Sequence, residues 1–434
     1  MSVGTALMFA SSVMAQTHDS VEVWTLDRCI DYAMAHATDI RKKVVEADNA
    51  RQERGAALGG FMPSVSANVG AQFSWGRNVD PETNTYNTIT TFNNSYSVGG
   101  SLTLFDGAQT WNAFRKARLA VRRSDNALAI AKDEKAIEVM ERYVDAVYNE
   151  AALRIAEEKL ADSRSLLDKT RRMEELGEKS YPDVAQIEAQ VAEDEYQVEH
   201  QRTAMEKARV ELMRVIGVRP APQWGRSLAG IEGIESAAYT PLRGARGGYL
   251  EAEFGLAISR LDYKMACGRL WPSISIGGGV STGYYKNLSS DALGTSFSRQ
   301  MKDNLGEYVY AQLSIPLFNF SAIKNVKKAR NNVRLAEIER EETMLKINSD
   351  YRQAVLDRDG YIKEVALMER KVVNDSIAHH LNSRKYEEGM LSTFDLHTSA
   401  QSLHNSKVRL LQTRLMAEIK KRLVEYYEEL GMRN

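Results

Sequence analysis

Two short polar segments with the same internal spacing carry the residue types best suited to specific polar interactions. These are Gly177, Ser180 and Asp183 in GEKSYPDV, and Gly389, Ser392 and Asp395 in GMLSTFDL. Glycine permits the left-handed backbone that ends a helix, and a serine hydroxyl caps the helix that follows. An acid three residues later completes a capping-box arrangement and suits the positive helix N-terminus. The spacing therefore predicts two αα-hairpin turns. Capping alone accounts for the residue types, whereas repetition at matching positions favours a docking role.

The histidines and the glycine-rich segment predict no catalytic or metal-binding site. His379 and His380 are adjacent on a predicted helix and cannot both face one ligand, so we expect a solvated pair. His397 and His404 are seven residues apart, as at the flanks of a coiled coil. The glycines 277–279 lie in a predicted strand that leads into no helix, which argues against a phosphate-binding loop. We therefore expect neither an enzyme nor a bound metal or cofactor.

Composition excludes several classes of protein. The 434 residues contain 57 Lys and Arg against 58 Asp and Glu, which gives no reason to expect nucleic-acid binding. No apolar run reaches 18 residues, so no helical membrane span is predicted. Transmembrane β-barrels leave a weaker signal of short alternating strands and stay possible on these grounds.

The amino terminus and the two cysteines bear on cellular compartment. An apolar run from Val3 to Met14 ends in small residues, which predicts a signal peptide at 1–15 and cleavage before Gln16. Cys29 and Cys267 have no metal-ligand spacing and form no disulfide framework. Each is expected to behave as a small buried hydrophobic residue, with a bridge between them as the alternative.

The chain is an internal duplication. The markers shared by the two copies are MPSVS (62–66) and WPSIS (271–275), SLTLFD (101–106) and SIPLFN (314–319), and KAR at 116–118 and 328–330. From KAR to the glycine turn the offset is 212 residues throughout. The predicted organisation is a first repeat at 16–217, a linker at 218–248 that holds three of the eight prolines, and a second repeat at 249–434.

Each repeat contains a pair of alternating strands. They are predicted at about 64–76 and 94–105, and at about 273–285 and 307–318. Period-two alternation places one face of a sheet in an apolar medium and the other in a polar one. Runs of this length fit tilted transmembrane strands better than average soluble ones. An aromatic girdle is expected near the strand ends, formed by Trp75, Tyr284, Tyr285 and Tyr308.

Four strands cannot close a barrel, and an open sheet edge in lipid leaves backbone groups without hydrogen bonds. Strands that span a membrane would therefore need other protomers, which predicts a homo-oligomer.

The remaining sequence predicts two long helical hairpins, at 107–217 and 321–430. After each glycine turn, apolar residues recur every seven positions, as in a left-handed coiled coil. They are Val184, Val191, Val198, Met205 and Leu212, with Leu396, Leu403, Leu410, Ala417 and Val424 at the matching positions of the second copy. Leu153, Leu160 and Leu167 give the preceding long helix a matching stripe.

The order of elements in the two repeats resembles that of the TolC family of outer-membrane efflux and secretion ducts. Each repeat has a strand pair, a long helix, a Gly-x-x-Ser-x-x-Asp turn and a half-length helix. The segment WTLDRCIDYA (24–33) is similar to the opening helix of that family, and the resemblance covers about 22–434. It implies an α+β membrane protein of the bacterial outer membrane. A long α-helical coiled-coil barrel in the periplasm would continue a trimeric 12-stranded transmembrane β-barrel, to which each protomer gives four strands.

The resemblance also implies partners and roles. The two turns would form the periplasmic tip and dock a periplasmic adaptor protein that couples the duct to an inner-membrane pump. Tyr386 matches a family tyrosine that helps hold the tip closed, and Asp183 and Asp395 would share in gating. Thr398 and Leu391 stand where some members carry an aspartate and a basic residue.

The favoured function is a passive exit duct of a tripartite efflux system. One alternative is the outer-membrane component of a type I protein-secretion system, which the sequence barely separates from the first. An alternative of another class is a soluble coiled-coil scaffold or surface adhesin, which leaves the long alternating strands without an explanation.

Overall fold

A computed structural model describes residues 23–80, 84–218, 228–230, 234, 241, 244–289 and 295–428. The predicted signal peptide and most of the predicted linker lie outside the described residues. The structure divides into two compact units, one containing 1–41, 131–242 and 350–434, the other 42–130 and 243–349.

Helices make up most of the described chain. They are α1 (Leu26–His36), α2 (Thr38–Gly59), α3 (Gln109–Glu175), α4 (Tyr181–Ile216), α5 (Gly244–Gly268), α6 (Phe297–Asp303), α7 (Phe320–Glu387) and α8 (Thr393–Glu428). The long helices α3 and α7 hold 67 and 68 residues, and α4 and α8 hold 36 each. These nearly equal lengths agree with the constant 212-residue offset. No described helix has an apolar stretch long enough to cross a bilayer.

The segment before β1 contains two helices. The first, α1, ends and α2 begins on either side of Ala37, whose ψ of 132° is extended. Gly217, at the end of α4, packs so closely here that a Cβ would lie 3.0 Å from the carbonyl oxygen of His36. The break therefore makes room for the end of a neighbouring helix.

A four-stranded antiparallel sheet contains β1 (Ser64–Asp80), β2 (Thr85–Phe105), β3 (Ser273–Asn287) and β4 (Gly306–Ser314). The strand order is β1-β2-β3-β4, so the pairing of β2 with β3 joins the two repeats. Within the described chain β1 and β4 each pair with one strand only. The sheet therefore has two open edges.

The strands differ in length from the prediction. The predicted loop from Arg77 to Asn93 is largely paired strand, because its threonines favour extended backbone and the β1–β2 register continues to Asp80 and Thr85. β4 ends at Ser314, earlier than expected, and Pro316 just beyond it has no backbone N–H to donate. The predicted loop before β4 contains the short helix α6.

The strand registers separate the four expected girdle residues. Trp75 and Tyr284 lie on the apolar face, which also carries Phe73 and Phe92 with ring centroids 4.7 Å apart. Tyr308 is opposite Gly279 and shares the other, polar face with Tyr285. Tyr285 and Tyr308 therefore lie on the face opposite Trp75 and Tyr284, because side chains alternate between the two faces of a strand, and the four residues expected to form one girdle do not share a face.

Tyrosines of β4 explain the glycines of β3. A Cβ on Gly277 would lie 2.6 Å from the ring of Tyr310, and one on Gly279 would lie 2.9 Å from the Tyr308 hydroxyl. A Cβ on Gly279 would also lie 2.6 Å from the carbonyl oxygen of Val98. The glycines let two tyrosine side chains lie flat over neighbouring strands.

The first unit contains the coiled coil. Its buried cluster combines the α3 stripe with the α4 heptad positions and Ile187. The members are Leu153, Ala156, Leu160 and Leu167 from α3, and Val184, Ile187, Val191 and Val198 from α4. In α8, Leu396 and Val424 are buried and the three residues between them are half-buried. The seven-residue spacing thus identified the packed face.

Both cysteines are free. Cys29 is buried, and this burial raises its pKa to about 12, so the thiol stays protonated. Cys267 is only half-buried. The expectation of a buried hydrophobic residue holds for Cys29 and only in part for Cys267.

Candidate functional site

The first candidate turn joins α3 to α4. Gly177 has φ +77°, in the left-handed region, and its N–H donates to the carbonyl oxygen of Glu174. The N–H of Glu178 reaches back to the carbonyl oxygen of Met173 at 2.8 Å, the bond that closes a Schellman-type helix end. A side chain at Gly177 would be strained, so glycine here serves helix termination.

Ser180 and Asp183 begin α4 as a pair. Oδ2 of Asp183 accepts from the Ser180 backbone N–H at 3.1 Å and from the Ser180 hydroxyl at 2.7 Å. Pro182 occupies the first turn, where a missing N–H costs nothing. These bonds lower the pKa of Asp183 below its ordinary value of 3.8, the Ser180 hydroxyl contributing most.

The second turn, between α7 and α8, has the same backbone. Gly389 has φ +72°, and the N–H of Met390 donates to the carbonyl oxygen of Lys385 at 2.8 Å. Ser392 caps α8 by accepting from the Asp395 N–H at 3.1 Å, while its hydroxyl donates to Oδ2 of Asp395 at 2.7 Å. Each turn thus forms its own serine–aspartate cap.

The two aspartates differ in their contacts beyond the cap. Oδ1 of Asp183 accepts a hydrogen bond at 3.2 Å from the hydroxyl of Thr393, the first residue of α8. Thr393 is buried. Among the described residues, the Asp395 carboxylate makes a side-chain hydrogen bond only with Ser392. Asp183 therefore links the two turns of one protomer, and Asp395 serves its own helix.

Tyr386 forms a second connection between the two hairpins. Its side chain is buried, and its hydroxyl lies 3.0 Å from Oγ1 of Thr170 on α3. The ammonium of Lys179 lies 4.4 Å from the centre of the Tyr386 ring, at cation–π distance. Nζ of Lys169 meets Oε1 of Glu387 at 2.9 Å. The two hairpins are thus connected through Asp183 and Thr393 and through Tyr386 and Thr170.

A buried ion pair lies between the helices behind the turns. Asp194, which is 1% exposed, accepts from Nζ of Lys159 at 2.9 Å, from Ser163 at 2.5 Å and from Gln190 at 2.8 Å. Lys159 also donates to Gln401 on α8 at 2.6 Å. The carboxylate and the ammonium are each satisfied by several partners, as buried charges require.

The same helices enclose a cavity of about 310 Å³ whose lining includes three histidines. Burial lowers the pKa of His379, His397 and His404 below the ordinary value of 6.5. A ring nitrogen of His379 lies 3.1 Å from the Ser399 hydroxyl. His379 is thus half-buried, which corrects the expected solvated pair, while His380 is exposed. No cluster of metal-ligating side chains occurs within the described part of the chain.

Sequence reasoning missed the buried polar contacts. Asp194 had a usable signal, because Ile187, Asp194 and Gln201 are seven residues apart and mark a second row of core positions. A carboxylate in such a row indicates a buried pair. Thr170 and Thr393 had no comparable signal, since their partners lie more than 200 residues away along the chain.

Comparison with known proteins identifies the fold. A family model described as outer membrane efflux protein matches residues 29–218 and 250–422, which covers both repeats and most of the chain. The structure is similar to that of the CmeC outer membrane channel of Campylobacter jejuni, with a TM-score of 0.79 and 13% identity, over 98% of this chain and 93% of CmeC.

Two curated proteins are similar in sequence. One is the pyoverdine export outer membrane protein OpmQ of Pseudomonas putida, 23% identical over 340 residues. The other is the protein CyaE of Bordetella pertussis, 25% identical over 343 residues. The matches cover 74% and 75% of this chain, and 67% and 66% of the two relatives, so the chain spans about two thirds of their length. On the strength of the family match over both repeats, the chain belongs to the outer membrane efflux protein family.

Proposed function

We propose that three copies of this chain form the outer-membrane exit duct of a tripartite efflux system. The observation that carries the proposal is the sheet, whose apolar face is exposed although it is rich in large side chains. Val65 is 71% exposed, Trp75 74% and Val309 90%. A surface of this kind needs a partner or lipid to cover it.

The open edges of the sheet support the oligomer. A sheet in hydrocarbon must satisfy every backbone N–H and C=O, and only a closed barrel does so. Four strands in each of three protomers give a barrel of 12 strands, in which β1 of one copy pairs with β4 of the next. The proposed number of protomers, three, comes from the resemblance to TolC-like ducts.

The turns support docking of a periplasmic adaptor. Large apolar side chains stand exposed on both of them: Leu176 at 76%, Tyr181 at 72%, Met390 at 67% and Phe394 at 64%. Each turn is fixed by a glycine in the left-handed region and a serine–aspartate cap. A rigid loop that presents apolar side chains is suited to binding a protein partner.

The duct would be passive, and an inner-membrane pump would supply the energy. Export also agrees with the name of the relative OpmQ, a pyoverdine export outer membrane protein. The structure of the chain itself does not select a substrate, because selection in this arrangement lies with the pump.

The test begins with purification from outer membranes in detergent. We expect a trimer that resists SDS and changes mobility on heating, and that conducts ions in planar lipid bilayers. A monomer that purifies from the aqueous fraction without detergent would contradict the proposal and favour a soluble scaffold. Photo-crosslinkers placed at Tyr181 and Phe394 should capture the adaptor, and its identity would separate efflux from type I secretion.

A further inference from the structure

A groove in the second unit is lined by eleven residues, of which six are basic. It lies between α3 and α5, with a volume of about 390 Å³. Arg115, Arg118 and Arg122 contribute from α3, Arg260 and Lys264 from α5, and Arg340 from α7. Glu253 is the one acidic residue in the lining, and leucines and an alanine form the remainder. The groove therefore carries a large excess of positive charge.

Most of this charge has no carboxylate partner among the residues that the structure describes. Arg260 pairs with Glu337 at 3.1 Å and Arg340 with Glu253 at 3.6 Å. Among the described residues, no carboxylate lies within ion-pair distance of the four remaining basic groups of the groove, which are Arg115, Arg118, Arg122 and Lys264. On α5, Asp262 points elsewhere: at 3.6 residues per turn it lies roughly 160° around the helix from Lys264. The groove thus lacks the mixed charges usual on a solvated helix.

The duplication repeats the arginine row. The residues 212 positions after Arg115, Arg118 and Arg122 are Lys327, Arg330 and Arg334 on α7. All three are exposed, and no ion pair within the described chain involves them. Spacings of three and four residues place each row along one face of its helix. Both long helices therefore carry a basic row just after the strands.

Aromatic side chains lie immediately before each row. Trp111, which is 55% exposed, packs against Phe61 and Phe114 with ring centroids 6.2 and 6.3 Å away. On α7 the ammonium of Lys324 lies 5.0 Å from the ring of Phe320, which is 61% exposed. Aromatic residues followed by basic ones are typical of the boundary between hydrocarbon and headgroups.

Distances along the helix fit a headgroup layer. At ~1.5 Å per residue, Arg115 and Arg118 lie about 6 and 10 Å beyond Trp111. A bilayer of about 40–45 Å with a hydrocarbon core of about 30 Å leaves roughly 5–8 Å of headgroups on each side. Arg122 lies one turn further along α3, and its long aliphatic side chain can reach back toward that layer.

A neighbouring copy of the chain is a poorer occupant. Within this unit α3 has α2 on one side, through Arg51 and Asp125, and α5 on the other, through Lys116 and Asp262. α5 in turn contacts α7 through Arg260. The groove therefore lies inside the row of helices, whereas a copy joined edge to edge would meet α2 or α7.

We propose that this groove and the matching row on α7 bind the phosphate groups of anionic phospholipids, in the leaflet that borders the helical end of the sheet. The proposal rests on the proposed membrane function. Guanidinium groups bind phosphate oxygens in bidentate fashion, and several in one groove favour lipids with a net negative charge over zwitterionic ones.

The test titrates the detergent-solubilised trimer with phosphatidylglycerol or phosphatidylcholine and counts bound lipid by native mass spectrometry. Wild type should retain phosphatidylglycerol at least about tenfold better, and 0.5 M NaCl should weaken this preference because salt screens the charges. The variant R115Q/R118Q/R122Q should lose the preference. The control R164Q/R171Q/R172Q removes the same charge from α3 in the other unit and should keep it.

Other outcomes overturn the proposal. If wild type and R115Q/R118Q/R122Q retained phosphatidylglycerol equally well, the groove would not be the lipid-binding site. Competition by millimolar glycerol phosphate would indicate a soluble anion site, and an altered anion-to-cation permeability ratio would place the row in the channel lumen. Loss of the trimer in R115Q/R118Q/R122Q would indicate a subunit contact, and the milder R118Q/R330Q variant then tests lipid preference in an intact assembly. Failure of wild type to trimerise or conduct would instead contradict the proposed function.

Discussion

The phenolic oxygen of Tyr386 lies 3.0 Å from Oγ1 of Thr170, and both side chains are almost fully buried. The Thr170 hydroxyl donates to the carbonyl oxygen of Leu166 at 2.9 Å, so the tyrosine is the donor between the two. One hydrogen bond therefore joins α7 to α3, close to the turns where both hairpins reverse. Opening of the proposed tip by separation of these helices must break it.

Removing the phenolic hydroxyl should loosen the tip. Tyr386→Phe keeps the ring and its contact with Lys179 and loses one hydrogen bond, which costs about 1 kcal/mol. Thr170→Val leaves a buried phenol without its acceptor and should cost more, about 1–3 kcal/mol. Both variants should raise single-channel conductance in planar bilayers and lower the thermal midpoint measured by circular dichroism.

The double variant supplies the control. Because both changes remove one interaction, Tyr386→Phe with Thr170→Val should cost less than the sum of the single variants. Strict additivity together with unchanged conductance would show that the bond is absent from the gate.

The two aspartates of the turns should differ in effect although each caps a helix. Asp183→Ala and Asp395→Ala each lose a cap worth about 1 kcal/mol. Asp183→Ala also breaks the bond to Thr393 that links the turns, so conductance should rise more for this variant. Thr393→Val, which leaves both caps intact, should reproduce most of that rise. An equal response to the two alanine variants would assign both aspartates to capping alone.

The pH dependence of the tip follows from Asp183. Its pKa in the folded protein is lower than 3.8, so its interactions favour the folded arrangement wherever the carboxylate is ionised. That contribution is complete above the unfolded pKa and is lost as pH falls through the folded one. As far as Asp183 is concerned, conductance should therefore be the same at pH 7 and pH 5, and it should rise only once the pH falls below 3.8.

A variant separates this effect from other titrations. Asp183→Ala should lack the rise in conductance that the wild type shows as the pH falls below 3.8. A rise of the same size in Asp183→Ala would assign the acid response to another group.

The sequence predicted those structural features that follow from a repeating pattern of residues. Seven-residue spacing found the buried faces of α3 and α4, and period-two alternation found four strands, because both patterns reflect which side of an element is packed. It grouped Tyr285 and Tyr308 with Trp75 and Tyr284, whereas the strand registers place them on the opposite face, since proximity to a strand end does not fix a face. The bonds from Thr170 and Thr393 depend on pairs far apart in the chain, which no local pattern encodes.

The buried pair of Lys159 and Asp194 should respond asymmetrically to substitution. Lys159→Met leaves a carboxylate at 1% exposure without its cation, and breaking such a pair costs about 3–5 kcal/mol. Lys159→Met with Asp194→Leu removes both charges and should recover most of the loss, because apolar residues suit the site. Thermal unfolding at 222 nm measures the difference. A double variant as unstable as Lys159→Met would show that the hydrogen bonds of Asp194 to Ser163 and Gln190 carry the stability instead.

The glycines of β3 should be intolerant of the smallest side chain where a neighbour lies over them. A Cβ at Gly279 would lie 2.8 Å from Cα of Gly99 and 2.6 Å from the carbonyl oxygen of Val98, so the backbone of β2 must move. Gly279→Ala should cost about 1–3 kcal/mol in overpacking and lower the temperature at which the SDS-resistant form dissociates. Gly306→Ala is the matched control, because its nearest atom would be 3.9 Å away, at ordinary contact distance. Equal dissociation temperatures for the two variants would mean that β2 and β3 approach less closely in the assembled protein, and the flat packing of Tyr308 over the glycines would then not hold.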